Sequence, residues 1–456
     1  MVPVDWARAL ERPRRYLLPE ERPALTDRYE ALGRSPQLHA VLDDVLQHGA
    51  SHAIVESPYV DFDYRSEFSH MYSRSFNPPS DKCERLLFFA QNEFLGFAVI
   101  RPSHKPVGRT AIAPPPEAEA LACCLARHNV RTAGQRLAIE AFPFLSQDGQ
   151  YGRCAHAAIW SVARYHHLRH GTGRHSIAAV VDAAGTREAV DRTFSSGGLY
   201  LHEVARAFHS LGLPTFMYDP AKYDPESLVK VVCRYLNSGF PVVLNTEAHL
   251  TVLTGYGYED GQIVFLRSDD NLRPYELIRN WEDQDPLRRW EMLLVPLPAR
   301  IHVPAEAAEI AARRHMDRIA GAAAETLSFR QRLKDGEFRL RTYAVDAAEY
   351  KLSLANRDPA MTPTIIEHHQ SVPLGAWVWV TEFQSKQRNL GDRAEVVAEI
   401  VIDATSHRAR PRPLLANLPG RCVAWLSNEA HPRGREVERL DGYGSALPAR
   451  PAPVFA

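Results

Sequence analysis

One cysteine in this chain stands where nucleophilic chemistry is possible. From Cys154 to His167, the residues Ala155, Ala158, Ile159, Val162 and Tyr165 recur at steps of three and four, the pattern of a helix. Gly149 and Gly152 lie just ahead of it. A thiol in a first helical turn feels the positive end of the helix dipole and nearby unsatisfied backbone N–H groups. Both favour the thiolate, the nucleophilic form. The helix contribution is roughly 0.3–1 kcal/mol at an exposed site, too little to ionise an ordinary thiol at neutral pH. A neighbouring imidazolium is required.

His249 is the candidate imidazole. It opens a strand-like run, His249 to Tyr258, that follows the turn Gly239-Phe240-Pro241 and the short apolar run Val242 to Asn245. A second run, Gln262 to Arg267, lies beyond Asp260-Gly261, a dipeptide that marks a hairpin. The hairpin brings in a carboxylate. With a two-residue loop, His249 falls opposite Leu272 and Asp270 is its diagonal neighbour. With a three-residue loop that includes Glu259, it falls opposite Asn271 and Asp269 takes that place. Either carboxylate could orient the ring and support its charged form. The loop count leaves the two open.

The stretch Gln147-Asp148-Gly149-Gln150-Tyr151-Gly152-Arg153-Cys154-Ala155-His156 resembles the nucleophile segment of papain-like cysteine peptidases. It is closest to the bacterial branch that includes the double-glycine leader peptidases of bacteriocin transporters. Gly239 to Leu244 with His249 is similar to that branch's histidine strand, and Ile263 to Asp269 to its aspartate strand. The resemblance covers Gln147 to Leu297. It implies an α/β (α+β) papain-like core, with an N-terminal helical nucleophile segment and an antiparallel sheet. Cys154 would be the nucleophile, His249 the general base and acid, and Asp269, ahead of Asp270, the orienting group. The family's oxyanion-hole glutamine lies six residues before the cysteine. Here Gln147 lies seven before and Gln150 four before. Gln147 is the expected donor, with a one-residue bulge among the glycines; Gln150 is the alternative.

Around that core the texture changes. Residues 1–135 read as a mixed α/β region, 136–300 as the core, and 301–456 as a C-terminal α/β region with a loose tail. Strands are expected at Arg85 to Phe89, Leu95 to Ile100, Gln135 to Phe142, Leu374 to Phe383 and Glu395 to Asp403. Helices are expected at Glu117 to Arg127, Leu199 to Leu211, Pro225 to Asn237 and Pro304 to Ala324. Leu293 to Leu297 is expected to close the core sheet. Segments such as Tyr59 to Tyr64, Leu95 to Pro102 and Trp377 to Glu382 also resemble uncharacterised bacterial proteins that carry this core.

Composition narrows the function classes. Of 456 residues, 45% are hydrophobic and 24% charged, which is ordinary globular usage. Basic and acidic residues balance at 54 and 55, so nucleic acid is not an expected partner. No apolar run approaches a membrane span, and the N-terminus has no signal-peptide pattern. With six sparse cysteines, a cytoplasmic protein with reduced thiols is expected. No cofactor and no metal is expected. His166 and His170 share a helix face at a zinc-compatible spacing, but no cysteine or carboxylate accompanies them at a recognised spacing. A polar helix end is the preferred reading. Cys123, Cys124 and Cys233 read as core residues on helix faces. Tyr59 to Tyr64 reads as a domain seam ahead of a substrate groove.

A lone cysteine is more often a small buried hydrophobe than a nucleophile. The histidine and aspartate segments, in order behind it, reverse that balance. The expected function is a cysteine peptidase or amide-bond hydrolase acting on a peptide or protein, with the flanking regions available to a protein partner. Two alternatives stand beside it. One is an acyltransferase of the transglutaminase or phytochelatin-synthase type. The other is a non-catalytic papain-like binding module.

Overall fold

Asp260 and Gly261 make the tight turn that their composition announces. Both have positive φ, 50° and 80°, in a computed structural model of the chain. That conformation matches the twist of the strands a two-residue loop must join. The structure describes residues 14–18, 20–30, 35–103, 105–147, 154–185, 198–246, 249–281, 289–322, 324–357, 361–390, 393–407, 411–425, 433–436 and 442–445.

The turn lies in a six-stranded sheet built from β1 (Thr215–Tyr218), β2 (Val242–Asn245), β3 (Leu250–Glu259), β4 (Gln262–Asp269), β5 (Arg273–Ile278) and β6 (Met292–Pro296). The spatial order is β5-β4-β3-β2-β6-β1, and every neighbouring pair is antiparallel. The segment expected to close this sheet, β6, instead lies inside it, between β2 and β1.

Helix α1 (Cys154–His170) packs on β3. It also meets the strands Ala126–Thr132 and Phe144–Leu145 and the helices Ile177–Ala184 and Leu201–Ser210. Residues Ala155 to Ala163 are all buried. A helix surrounded on most sides is apolar around most of its circumference. Among its polar contacts, Trp160 Nε1–H donates to Asp63 Oδ1 at 2.8 Å and Tyr165 Oη–H to Gly239 O at 2.7 Å. Asp61 caps the helix Phe62–His70 and pairs with Arg109 at 2.9 Å. Of the stretch Tyr59 to Tyr64, Asp61, Asp63 and Tyr64 are buried, while Val60 and Phe62 are exposed.

A second six-stranded antiparallel sheet precedes α1. Its spatial order is Arg14–Leu17, His52–Tyr59, Cys83–Ala90, Glu93–Ile100, Val107–Ile112 and Phe144–Leu145. The helix expected over Glu117 to Arg127 is not formed as such. Helix ends at Glu119, and Ala126–Thr132 is a strand paired with Gln135–Ala141. Burial alternates along Ala126 to Arg131, so the strand's period of two overrides the helical reading.

The chain divides into two compact units, residues 1–224 with 239–298, and residues 225–238 with 299–456. The first therefore holds both the N-terminal region and most of the region read as the core. The helix Pro225–Asn237 groups with the second unit. There it packs on the strand Phe338–Asp346, Arg234 pairs with Glu309 at 2.8 Å, and Tyr235 lies edge-on to Trp379. The second unit's sheet runs Phe338–Asp346, Trp377–Leu390, Arg393–Asp403, Pro413–Leu418, Arg421–Ala424 and Arg433–Glu436, with Tyr443–Gly444 beside Arg393–Asp403. The strands after Arg408 carry no sequence periodicity and were not expected. Residues 446–456, expected as a loose tail, lie outside the described residues. Among the described residues no helix is long and apolar enough to cross a membrane.

In the second unit the Arg357 and Glu399 side chains are fully buried and paired at 2.6 Å; Tyr350 Oη–H also donates to Glu399 at 2.7 Å. Removing the guanidinium alone strands a carboxylate in the interior. Arg357→Ala is expected to lose about 3–5 kcal/mol in urea unfolding, and Arg357→Met with Glu399→Leu much less.

Candidate active site

The hairpin loop has two residues, yet Asp269 faces His249. The resolution lies in a bulge. From Glu259↔Gln262 to Gly255↔Leu266 the register follows the two-residue turn; Leu253 then pairs with Arg267, and Val252 with Ser268. Thr254 is the extra residue. Beyond it the register has moved by one, so His249 falls in line with Asn271 and its diagonal neighbour is Asp269. A straight ladder would have delivered Asp270.

The bulge is held from outside the hairpin. The backbone N–H groups of Cys123 and Cys124 both donate to Thr254 O at 2.9 Å, and Tyr256 N–H donates to Leu121 O at 3.0 Å. This approach requires glycine. A Cβ on Gly255 would meet Leu121 O at 2.1 Å, and one on Gly257 would meet Leu121 Cδ2 at 2.0 Å. Cys123 and Cys124 therefore lie on an extended segment against β3, not on a helix face as expected. Cys124 is buried, Cys123 half-buried.

His249 sits at the mouth of the β2–β3 turn, where its carbonyl accepts from Thr246 N–H at 2.9 Å and Thr246 Oγ1–H at 3.0 Å. Its Nε2 lies 2.8 Å from Asp269 Oδ1 and 3.6 Å from Asp270 Oδ1. The thiol of Cys154, first residue of α1, lies close enough to the same imidazole to favour its charged form. Burial pulls the His249 pKa down. The Asp269 hydrogen bond, the nearby Cys154 thiol and the two aspartate charges outweigh it and raise the value to about 10. The ring is thus a cation over the neutral range.

The two aspartates occupy different environments. Burial pushes Asp269 up, but the His249 hydrogen bond and charge, with Arg267, bring it below its ordinary value. Asn271 N–H also donates to Asp269 Oδ1 at 2.9 Å, closing a tight turn. Asp270 is pushed up to about 7, by burial first and Asp269 second, against the His249 and Lys105 charges.

Gln147 joins this cluster. Its Nε2–H donates to Asn271 Oδ1, Lys105 Nζ lies 3.5 Å from the same oxygen, and Asn271 Nδ2 lies 3.5 Å from His249 Nε2. Gln150 lies outside the described residues. Cys154, His249, Asp269, Asp270 and Gln147 are therefore all brought together in the first unit.

The supporting residues were missed. Gln37 Nε2–H donates to the carbonyls of Asp270 (3.2 Å) and Asn271 (2.9 Å), and Asp44 pairs with Arg273 just beyond that turn. Both acceptor and donor come from one helix, Pro36–Gln47. The available signal was a Gln and an Asp seven residues apart on one otherwise apolar helix face.

Among the described residues, His249, Asp269 and Asp270 form a group that could hold a metal ion, their ligand atoms lying within 4.8 Å of one another. His166 and His170 serve differently. His166 is fully buried and stacks on Phe240 at 6.0 Å, with His170 5.4 Å away. Burial pushes both rings toward the neutral form. The expected polar helix end is thus a buried aromatic cluster. No family model matches the chain, and a search of the curated proteins finds no match.

Two outcomes follow from this geometry. Gly255→Val is expected to destabilise the first unit by about 1–3 kcal/mol in chemical unfolding, through clash with Leu121. His249 has a folded pKa above its ordinary 6.5, so its ion pair contributes stability below that pH and loses it as pH rises toward 10. The gap in unfolding free energy between wild type and His249→Ala should shrink across that window.

Proposed function

We propose that the protein is a papain-like cysteine peptidase, or a closely related amide-bond hydrolase. One observation carries this reading: His249 lies 2.8 Å from Asp269 and near enough to the Cys154 thiol, at the head of a buried helix, for that thiol to favour the charged ring. A helix carrying the thiol, packed on an antiparallel strand that carries the histidine, also supports the papain-like fold.

In the proposed reaction the Cys154 proton resides on His249 and the thiolate attacks the substrate carbonyl carbon. A C–S bond forms and the carbonyl becomes an oxyanion. Gln147 has two amide hydrogens and one is used by Asn271, so a role in stabilising that oxygen requires the side chain to turn toward Cys154 when substrate binds. As the C–N bond breaks, His249 gives its proton to the leaving amine. Water, deprotonated by His249, then releases the acid and regenerates the thiol. Asp269 holds the ring in one orientation and supports its positive charge. The substrate is a peptide or protein.

A mechanism-directed thiol probe tests this. Cys154 is expected to react far faster than the five other cysteines, four of which are buried. The rate should fall by at least about a hundredfold in His249→Ala. Equal labelling of all reachable thiols would favour a non-catalytic module. Product mass with and without an added amine separates hydrolysis from acyl transfer.

A further inference from the structure

We propose that His249, Asp269 and Asp270 also form a binding site for a divalent transition ion of zinc type, and that its occupancy switches the candidate active site off. The regulatory part rests on the peptidase reading; the site itself rests on geometry.

The decisive side chain is Asp270. It is 6% exposed, and neither carboxylate oxygen accepts a hydrogen bond from another side chain or backbone group among the described residues. Buried carboxylates are ordinarily satisfied, because an unmet one carries its full desolvation cost. Asp270 acts on His249 through charge rather than a hydrogen bond, the ring's hydrogen bond going to Asp269. Yet its Oδ1 points at the same ring nitrogen, 3.6 Å away.

The spacing suits a metal. Ligands at about 2.0–2.2 Å from a tetrahedral ion lie roughly 3.3–3.6 Å from each other. The separations from His249 Nε2, 2.8 Å to Asp269 and 3.6 Å to Asp270, bracket that range. One imidazole and two carboxylates leave a fourth position for water, and this donor set favours zinc over calcium or magnesium, which take oxygen ligands. The His249 side chain is 21% exposed, which provides an entry path.

The consequence for chemistry is specific. Metal binding at Nε2 breaks the Nε2–H bond and releases that proton to solvent. The ring then holds a single proton, at Nδ1. Giving it to a leaving amine would create a metal-bound imidazolate, so proton delivery stops.

The test uses the full chain carrying Cys154→Ala, stripped with chelator and titrated with Zn2+ by calorimetry, with folding checked by circular dichroism. One saturable ion per chain is expected. Asp270→Asn and His249→Ala, each added to that background, should weaken binding at least about tenfold, since even outer-shell partners of a metal are worth that much. The Co2+-loaded protein should show visible bands without sulfur charge transfer. Absence of saturable binding, or equal affinity in both added variants, overturns the site. Thiol labelling of chelator-treated wild type reads the peptidase proposal separately. Binding without selective labelling sinks only the peptidase reading, and labelling without binding sinks only the metal site.

Discussion

The candidate site depends on a single backbone carbonyl, that of Thr254. The Asp260-Gly261 turn fixes one register at the hairpin end of β3. The bulge at Thr254 imposes another at the His249 end. A slip of one residue sends every side chain of a strand to the opposite face. Without the bulge, His249 would face the backbone that carries Asp270. A bulge leaves ladder groups unpaired, and an unpaired buried carbonyl is costly. Here the Cys123 and Cys124 amides take that carbonyl, so the disruption is compensated from another part of the chain.

The same local geometry separates the roles of two neighbouring carboxylates. Asp269 accepts from the His249 ring and the Asn271 amide and lies near Arg267; it is held in the charged form. Asp270 has equal burial but no such donors, and its acidity falls. Neighbours in sequence are thereby driven apart in protonation, Asp269 by hydrogen bonds and the His249 and Arg267 charges, Asp270 by burial and the Asp269 charge. The helix Pro36–Gln47 keeps the turn between them rigid: Gln37 bonds both turn carbonyls, and Asp44 holds Arg273 on the far side.

Local signals were legible where one element carries the information. The period of α1, the Asp260-Gly261 turn and the apolar run of β2 all read directly, because burial on one side stamps a pattern on the sequence. The placement of Cys154 and His249 was legible for the same reason: each sits at the start of a well-marked element. The choice between Asp269 and Asp270 was not. It turns on a bulge whose cause, the segment Leu121 to Cys124, lies about 130 residues away and reads as helix by composition. Ala126 to Thr132 misled likewise, since a short amphipathic strand and a helix end share the same residue types. The strands after Arg408 carry Pro and Arg rather than β-branched residues. Their structure comes from pairing with neighbours rather than from propensity.

These dependencies bear on what counts as the core. The segment that resembles a peptidase begins at Gln147, and by itself it contains the thiol, the imidazole and both carboxylates. Several of the groups that set their positions lie outside it. Gln37 and Asp44 hold the Asp269 turn, Asp63 holds Trp160 on α1, Lys105 reaches Asn271, and Leu121 to Cys124 hold the bulge. All five supports come from the first 135 residues. Burying α1 on nearly every side also requires the strand Ala126–Thr132. The region that reads as an N-terminal flank is therefore part of the site's own scaffold. A chain starting at Gln147 would retain the reactive groups and lose the interactions that determine which aspartate His249 meets.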